Sequence, residues 1–330
     1  MMEEFLLQLN KIKSGQSRPY NIEPTNTRKV GVLGSGMMGH GIAYITSISG
    51  LEVIMTDSTQ ENADKGFERI KSVLINEVNK GKITEKRMKE SLQRITPTDN
   101  YHKLEGCDLI IEAVFEKIDL KEKVIIEAES LMDSKGIFAS NTSTIPISQL
   151  AKGSSRPNNF IGIHFFSPVH KMKLVEIIKG ENTSPLALAK AFDYVLKIGK
   201  IPIVVNDGPG FYTTRVFEKY TCEGLALLYE GQRADLIENA GKQAGFPVGP
   251  LAILDEINIA LAAHIRNQTS KDIPKKEPNQ KEPCDIVIDF MINKAKRTGR
   301  RSALGIATQL NGFTRSPCLD CYSRRGILSR

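Results

Sequence analysis

An apolar stretch that runs straight into three spaced glycines limits most strongly how this chain can fold. Val30–Leu33 is followed at once by GSGMMG at residues 34–39, which has the pattern G-x-G-x-x-G. The pattern predicts a strand, a tight turn at Gly34, bare backbone at Gly36 and a helix packed close to the sheet at Gly39. Amides at the start of such a helix bind phosphate. The stretch therefore favours a dinucleotide-binding βαβ unit, although a glycine-rich turn in another parallel fold has the same local pattern.

A second predicted strand ends in an acidic residue. Residues 51–57 (LEVIMTD) have the composition of a strand, which places Asp57 about 20 residues beyond the glycines. A carboxylate at this spacing accepts the adenosine ribose hydroxyls of NAD and repels the 2′-phosphate of NADP. Residues 58–60 (STQ) include no arginine that would accommodate that phosphate. The spacing therefore predicts NAD as the cofactor.

The composition is that of a globular protein. A length of 330 residues gives room for two domains. With 40% hydrophobic and 25% charged residues, the chain can form a core that needs no disulfides. No apolar run approaches the roughly 18 residues of a membrane span. The start MMEE lacks the basic region of a signal peptide. We therefore expect no membrane span and a reducing compartment, which is the cytoplasm or, in a eukaryote, the mitochondrial matrix.

The cysteines and the charges argue against two further classes of protein. Five scattered cysteines do not predict a disulfide framework, and the C-x-x-C at Cys318–Cys321 has no second pair or histidine nearby, so no metal site is predicted. The net charge of +7 lies in the tail, because residues 291–330 carry nine lysines and arginines against one acid. The first 290 residues carry a net charge of −1. A body near neutrality predicts no nucleic-acid partner.

Strand and helix signals alternate along the first two thirds of the chain. This alternation predicts the α/β class with a Rossmann-type doubly wound sheet, and the helices after Pro209–Gly210 predict a smaller all-helical domain. The predicted domains are a helix and linker at 1–28, an NAD-binding domain at 29–207, a helical substrate and dimerisation domain at 208–302 and a basic tail at 303–330. Further predicted strands are 108–113, 136–140, 160–166, 174–178 and 202–205. Predicted helices are 1–12, 59–80, 84–94, 119–132, 211–229, 233–243 and 250–266.

Two neighbouring predicted strands each carry one titratable residue among apolar ones. His164 lies in IGIHFF (161–166) and Glu176 in LVEII (174–178). If the strands pair across the turn at 167–173, the two side chains face each other. A carboxylate on one ring nitrogen then fixes the tautomer and raises the basicity of the other, which suits removal of a proton from an alcohol that NAD oxidises. The alternative is a His–Glu pair that merely satisfies itself in a core.

Six longer phrases occur in one order along the chain. They are GSGMMGHGIAY (34–44), IIEAVFE (110–116), FASNTSTIPIS (138–148), IGIHFFSPVHKMKLVEII (161–178), NDGPGFYTTR (206–215) and GFPVGPLAILDE (245–256). Through them the chain resembles the NAD-dependent 3-hydroxyacyl-CoA dehydrogenases, especially the dehydrogenase half of multifunctional fatty-acid-oxidation proteins of the trifunctional alpha-subunit type. The resemblance runs from about Lys29 to His264.

The resemblance implies a reaction and a set of site residues. The reaction is NAD-dependent oxidation of (3S)-3-hydroxyacyl-CoA to 3-oxoacyl-CoA in fatty acid β-oxidation, in a cleft between the two domains. His164 is then the catalytic base, Glu176 its partner and Ser143 the residue that hydrogen-bonds the substrate hydroxyl. A helix-capping role for Ser143 ahead of Pro146 is the alternative, and the two roles are compatible. The implied cofactor contacts are Gly34, Gly36, Met38, Gly39, Asp57, Val114, Phe115, Glu116, Lys121, Ser143 and Ser167, with Ser143 and Thr214 at the substrate.

The resemblance also implies partners. The substrate is an acyl-CoA, and the expected protein partners are a second copy of the chain or other β-oxidation enzymes. We expect a phosphate of CoA to bind on the helix pair at 59–94, where Lys65, Lys71, Lys80 and Lys82 lie, although a solvated face explains any single lysine.

Some positions depart from the usual wording of the family. Ser167 and Thr214 stand where many members carry asparagine, but both substitutions are familiar in trifunctional-type members. Many family members carry the motif GRKSGKGFY near the end of this module. Here Gly299–Ser302 is followed by ALGIA (303–307), so the second half of the motif is absent. This loss motivates a second hypothesis, a catalytically impaired NAD- or acyl-CoA-binding subunit or remnant of a split multifunctional protein. A third, a dehydrogenase of a free β-hydroxy acid, gives no reason for the phrase that contains His164 and Glu176.

Overall fold

The computed structural model describes residues 2–257 and 282–298 of the chain. Backbone contacts divide the chain into two units, Met1–Tyr212 and Thr213–Arg330. The helix predicted at 250–266 is described up to Ile257. Its remainder, the C-x-x-C motif and the predicted tail lie outside the described residues.

The described elements of the first unit follow the predicted alternation of strands and helices. The strands are β1 (Lys29–Leu33), β2 (Glu52–Thr56), β3 (Ile95–Thr98), β4 (Leu109–Glu112), β5 (Ile137–Ser140), β6 (Phe160–Phe165), β7 (Leu174–Lys179) and β8 (Ile201–Asn206). The helices are α1 (Met2–Lys13), α2 (Met37–Ile48), α3 (Gln60–Asn79), α4 (Glu85–Gln93), α5 (Ile118–Glu129), α6 (Ile147–Leu150) and α7 (Pro185–Lys197).

These strands form one sheet in the order β3-β2-β1-β4-β5-β6-β7-β8. All neighbouring strands are parallel except β6 and β7, which are antiparallel. The first six positions have the Rossmann order, in which the direction of winding reverses between β1 and β4. Ligands of such sheets bind beside this switch point, at the carboxyl ends of the strands.

Strand residues alternate between two hydrophobic cores, one on each face of the sheet. Val32 and Ile111 belong to one core, whereas their neighbours Leu33 and Ile110 belong to the other. Because helices cover both faces, the central strands are apolar along most of their length, as expected for buried parallel strands. The prediction of a doubly wound α/β sheet is therefore confirmed.

The elements that the sequence prediction missed include β3 and α7. β3 contains Pro97, and it forms because it is the edge strand of the sheet, where a missing amide donor costs little. α7 carries a clear start signal, because the Ser184 hydroxyl accepts from the amide of Ala187 and Pro185 occupies the first helical position. That signal was present in the sequence and identifies the helix.

A polar anchor ties the segment before β1 to α7. Arg18 Nε and Nη2 donate to the two carboxylate oxygens of Asp193 at 2.6 and 2.9 Å. The amide and hydroxyl of Thr25 donate to the same carboxylate at 2.8 Å each. Both ion-pair side chains are only 15% exposed. The region predicted as a linker is therefore fixed to the first unit.

In the second unit, the described residues form helices only. They are α8 (Thr213–Tyr229), α9 (Ala234–Gln243), α10 (Pro250–Ile257) and α11 (Pro283–Thr298). Leu225, Leu251 and Val287 of α8, α10 and α11 are buried in a shared core. α8 approaches α10 closely at Gly224, where a Cβ would lie 2.7 Å from Pro250. None of the described helices is both long and apolar enough to cross a membrane.

Candidate active site

The turn between β1 and α2 requires its glycines for different reasons. Gly34 has a φ of 91°, and a Cβ there would lie 2.8 Å from the carbonyl oxygen of Ala113. A Cβ on Gly39 would lie 1.7 Å from the carbonyl oxygen of Gly34, so the helix can approach the turn only without one. A Cβ on Gly36 would meet nothing within 4 Å. Space therefore lies in front of Gly36 at the start of α2, where a pyrophosphate fits.

Asp57 follows β2 and is hydrogen-bonded to the glycine-rich turn. Its Oδ2 accepts from the amide and the hydroxyl of Ser35 at 2.8 and 2.6 Å. Its Oδ1 accepts from the amide of Ser58 at 2.8 Å. Burial raises the pKa of Asp57, but the hydrogen bonds from Ser35 and Ser58 outweigh burial and leave this pKa below its ordinary value. The carboxylate is thus ionised at neutral pH beside the dinucleotide cradle.

The segment after β4 lies against the same turn. A Cβ on Gly34 would approach the amide nitrogen of Val114 to 3.2 Å. Val114 and Met38 are half-buried against the two cores of the sheet, whereas Phe115 is 82% exposed. These predicted cofactor residues therefore border the carboxyl ends of β1 and β4.

His164 and Glu176 face each other across the antiparallel pair β6–β7. The two residues are opposite in register, and His164 Nδ1 and Glu176 Oε2 form a hydrogen bond of 2.7 Å. His164 is 6% exposed and Glu176 is fully buried. The predicted strand pairing, with the two side chains together, is confirmed.

Aromatic side chains and one backbone amide complete the surroundings of this pair. The ring centroids of Phe166 and Phe211 lie 4.5 and 6.1 Å from that of His164. The amide of Tyr212 donates to Glu176 Oε1 at 3.2 Å. Phe211 is buried with a φ of 47°, a left-handed conformation that costs a non-glycine residue about 1–2 kcal/mol. Strain of this kind clusters at functional sites.

Ser143 lies in the loop that follows β5 and precedes α6. Glu116 Oε1 accepts from the amide of Ser143 at 3.0 Å and from the hydroxyl of Thr142 at 2.5 Å. Asn141 Oδ1 accepts from the amide of Phe165 at 2.9 Å, which ties the loop to the residue after His164. The loop and the His–Glu pair are therefore neighbours at the carboxyl ends of β5 and β6.

Three charged side chains, those of Glu112, Glu116 and Lys121, form a cluster that contacts this loop through Glu116. Lys121 Nζ donates to Glu112 Oε1 at 2.5 Å and is 3.1 Å from Glu116 Oε2. Burial lowers the pKa of Lys121, but the two carboxylates outweigh burial and raise it above its ordinary value. Burial raises the pKa of Glu112. For Glu116, Lys121 and the loop hydrogen bonds outweigh burial and lower the pKa. The Lys121 side chain is 1% exposed, and its predicted role at the cofactor stays a prediction.

Asp207 was predicted only as part of a domain boundary, and it has a clear local role. Its Oδ1 and Oδ2 accept from the amides of Ile147 and Ser148, each at 2.8 Å. The carboxylate therefore caps the start of α6, directly after the Ser143 loop. The signal that could have found it is the lack of a capping side chain before α6, where Pro146 stands.

Lys200 holds the turn between β6 and β7. Its Nζ donates to the carbonyl oxygens of Val169 and Met172 at 2.5 Å each. Burial, with a smaller contribution from Lys173, lowers the pKa of Lys200 to about 8. Ser167 is exposed in this turn, and its contact with the cofactor stays a prediction.

The remaining predicted contacts lie on helices. Thr214 is in the first turn of α8 in the second unit, and its contact with substrate stays a prediction. Among the lysines suggested for CoA, Lys65, Lys71 and Lys82 each pair with a glutamate of α3, at 2.6, 3.4 and 3.2 Å. Ion pairs on the protein surface are weak, so they do not prevent these lysines from binding a phosphate of CoA. The described residues contain no cluster that could hold a metal ion.

The sheet order, the glycine cradle, the acid after β2 and the imidazole–carboxylate pair define a Rossmann-type dinucleotide-binding oxidoreductase. Residues 29–208 match the family model described as 3-hydroxyacyl-CoA dehydrogenase, NAD binding domain. Residues 210–309 match the C-terminal domain of the same family. The chain belongs to the 3-hydroxyacyl-CoA dehydrogenase family, and NAD is the cofactor of its first domain. The match extends beyond Ser302, the residue after which the sequence departs from the usual motif of the family.

Relatives and solved structures agree with this assignment. The chain is 37% identical over 290 residues to a fatty acid oxidation complex subunit alpha of Pseudomonas savastanoi, and 37% identical over 280 residues to that of Ectopseudomonas oleovorans. It covers 40% and 39% of their lengths. The fold matches the crystal structure of (S)-3-hydroxybutyryl-CoA dehydrogenase from Ralstonia eutropha, with a TM-score of 0.76, 34% identity and coverage of 83% of this chain and 98% of that one. The 3-hydroxybutyryl-CoA dehydrogenase from Escherichia coli matches with a TM-score of 0.75, 28% identity and coverage of 83% and 59%.

Proposed function

We propose that the chain catalyses NAD-dependent oxidation of a (3S)-3-hydroxyacyl-CoA to the 3-oxoacyl-CoA in fatty acid β-oxidation. The observation that carries the proposal is the 2.7 Å contact between His164 Nδ1 and Glu176 Oε2, on two paired strands of a dinucleotide-binding sheet. The names of the relatives, a fatty acid oxidation subunit and a 3-hydroxybutyryl-CoA dehydrogenase, supply the substrate class.

We propose that the contact with Glu176 sets the tautomer of the His164 ring, with the proton on Nδ1. Because Nδ1 donates to the carboxylate, the neutral ring leaves Nε2 as an acceptor. Nε2 takes the proton of the substrate hydroxyl as the C3–O bond becomes a carbonyl, and Glu176 stabilises the imidazolium that forms. The glycine-rich turn and Asp57 would hold NAD, which would supply the acceptor for the hydride that leaves C3. The burial of both side chains strengthens their electrostatic interaction.

The other site residues bind and orient. We propose that the Ser143 hydroxyl hydrogen-bonds the substrate hydroxyl and that Asp57 accepts the adenosine ribose hydroxyls. Gly34, Gly36 and Gly39 form the cradle of the pyrophosphate. The other proposed cofactor contacts are Met38, Val114, Phe115, Glu116, Lys121 and Ser167, and the other proposed substrate contact is Thr214.

Turnover by the full chain and by a His164→Ala variant tests the function. NADH oxidation is followed by absorbance with acetoacetyl-CoA, and then with a longer 3-oxoacyl-CoA. Loss of a general base is expected to lower kcat by about 10²–10⁴-fold while NADH still binds. A kcat within about tenfold of wild type would refute His164 as the base. NADH binding without any turnover in the wild-type chain would support a non-catalytic binding subunit instead.

Partners and location belong to the same proposal. We propose that the chain associates with a second copy or with other β-oxidation enzymes, because the curated relatives are named as subunits of a complex. Light scattering of the purified chain distinguishes a dimer from a monomer. Fractionation tests the proposed location, the cytoplasm or, in a eukaryote, the mitochondrial matrix.

A further inference from the structure

We infer that Glu112 is a positioning residue, which fixes the Ser143 loop through Lys121 and Ser140. The inference rests on the proposed role of Ser143. Glu112 ends β4, is fully buried and belongs to neither the predicted cofactor contacts nor the proposed mechanism. A fully buried carboxylate has a large desolvation cost, so its contacts indicate what it holds in place.

The first connection from Glu112 to the loop runs through charge. Glu112 Oε1 accepts from Lys121 Nζ at 2.5 Å, and the same ammonium group lies 3.1 Å from Glu116 Oε2. The second oxygen of Glu116, Oε1, accepts from the Thr142 hydroxyl and the Ser143 amide. Lys121 therefore holds one oxygen of Glu116 while the other oxygen grips the loop.

The second connection runs through a hydroxyl. Glu112 Oε2 accepts from Ser140 Oγ at 2.8 Å. Ser140 Oγ in turn accepts from the amide of Thr142 at 3.2 Å. Both connections reach Thr142, the residue directly before Ser143, so one carboxylate holds the loop through two routes.

Removing the charge of Glu112 changes how the ammonium group of Lys121 divides its contacts between Glu112 and Glu116. In Glu112→Gln the side chain keeps its shape and an acceptor for Ser140, but the buried ammonium keeps only Glu116 as a charged partner. Lys121 is then drawn toward Glu116 Oε2, and the grip of Oε1 on the loop weakens. A displacement of a catalytic group by about 1 Å can cost up to about 100-fold in rate, so we expect a loss of kcat of about tenfold or more.

A double-mutant cycle with Ser143 tests the inference. NADH oxidation with acetoacetyl-CoA is measured for wild type, Glu112→Gln, Ser143→Ala and the double variant. If Glu112 acts through Ser143, Glu112→Gln lowers kcat in the wild-type background and changes it by less than about twofold in the Ser143→Ala background. Ser140→Ala, which cuts only the hydroxyl connection, is expected to behave in the same direction with a smaller loss.

Glu129→Gln is the matched control. Glu129 is an equally buried carboxylate that accepts from the side chains of Ser154 and Ser155, away from the Ser143 loop. We expect its kcat to stay within about threefold of wild type. Far-UV circular dichroism of each variant verifies folding, and Ser140→Ala keeps the test decisive if Glu112→Gln does not fold.

The outcomes separate the inference from the proposed function. An inactive wild-type chain overturns both. With an active wild type, equal losses from Glu112→Gln in the two backgrounds, or equal losses in Glu112→Gln and Glu129→Gln, overturn the inference alone. An active Ser143→Ala variant with wild-type kcat also overturns it, because the loop would then carry no catalytic group.

Discussion

Alanine at Gly36 and at Gly39 is expected to separate cofactor binding from folding. The two glycines lie one turn apart in the same cradle, but a Cβ at Gly36 meets nothing within 4 Å, whereas a Cβ at Gly39 lies 1.7 Å from the carbonyl oxygen of Gly34. Gly36 has an extended conformation with a negative φ of −63°, so alanine is not forced into the left-handed region there. Each variant is therefore the control for the other.

The expected magnitudes follow from these contacts. In Gly36→Ala, reduced freedom of the unfolded chain raises the free energy of unfolding by about 0.4–1 kcal/mol. The new methyl group would occupy the space proposed for the pyrophosphate, and loss of one charge-assisted hydrogen bond, about 1.5–3 kcal/mol, is expected to weaken NADH binding by roughly 10- to 100-fold. In Gly39→Ala, the methyl group forces the backbone apart, and overpacking of this kind costs about 1–3 kcal/mol.

Urea unfolding and NADH titration measure the two effects. The chain contains no tryptophan, so unfolding is followed by far-UV circular dichroism, and NADH binding by the fluorescence of NADH itself. Wild-type affinity for NADH in Gly36→Ala would refute the placement of the pyrophosphate against this residue. Wild-type stability in Gly39→Ala would refute the close approach of α2 to the turn.

Three further predictions concern charged groups around the sheet. Glu176→Gln keeps a hydrogen bond to His164 but removes the charge that stabilises the imidazolium, so kcat should fall by about tenfold or more with little change in NADH affinity; an unchanged kcat contradicts this. The folded-state pKa of Lys200, about 8, lies below its ordinary 10.5, so the unfolded chain binds more protons between these values, and the contribution of Lys200 to the free energy of unfolding rises with pH across that window. Urea unfolding of wild type and Lys200→Met from pH 7.5 to 10 should show a growing difference in favour of wild type, and a constant difference would contradict the assignment. Arg18→Ala should lower the free energy of unfolding by about 1–3 kcal/mol, because Asp193 loses its charged donor, and should speed tryptic cleavage at Lys11 and Lys13; unchanged cleavage would show that the anchor does not hold the segment.

Local patterns predicted the parts of the site that are close in sequence. The strand–glycine–helix turn is encoded within about ten residues, and its spacing to Asp57 follows from one βαβ unit. The pairing of His164 with Glu176 was predictable because a short turn joins the two strands. In each case a contact within a small stretch of chain determines the geometry.

Contacts between distant segments were not predictable in the same way. Arg18 and Asp193 are 175 residues apart, and a linker with two prolines carries no sign of the carboxylate that it meets. Glu112 resembles an ordinary strand end in the sequence, and only the pairing of β4 with β5 brings Ser140, 28 residues further along the chain, to it. Asp207 caps a helix that begins 60 residues earlier. Such polar partners depend on tertiary structure, which residue spacing does not encode.

The contact between His164 and Glu176 depends on the antiparallel register of β6 and β7. Side chains on a strand alternate between faces, so a slip of one residue would move Glu176 to the opposite face of the sheet from His164. An insertion within either strand would therefore disconnect the two residues while leaving both in the sequence. An insertion in the exposed part of the intervening turn would only lengthen a loop. A variant of this chain that retains the histidine and the glutamate is thus expected to retain the pair only if the ladder between them is intact.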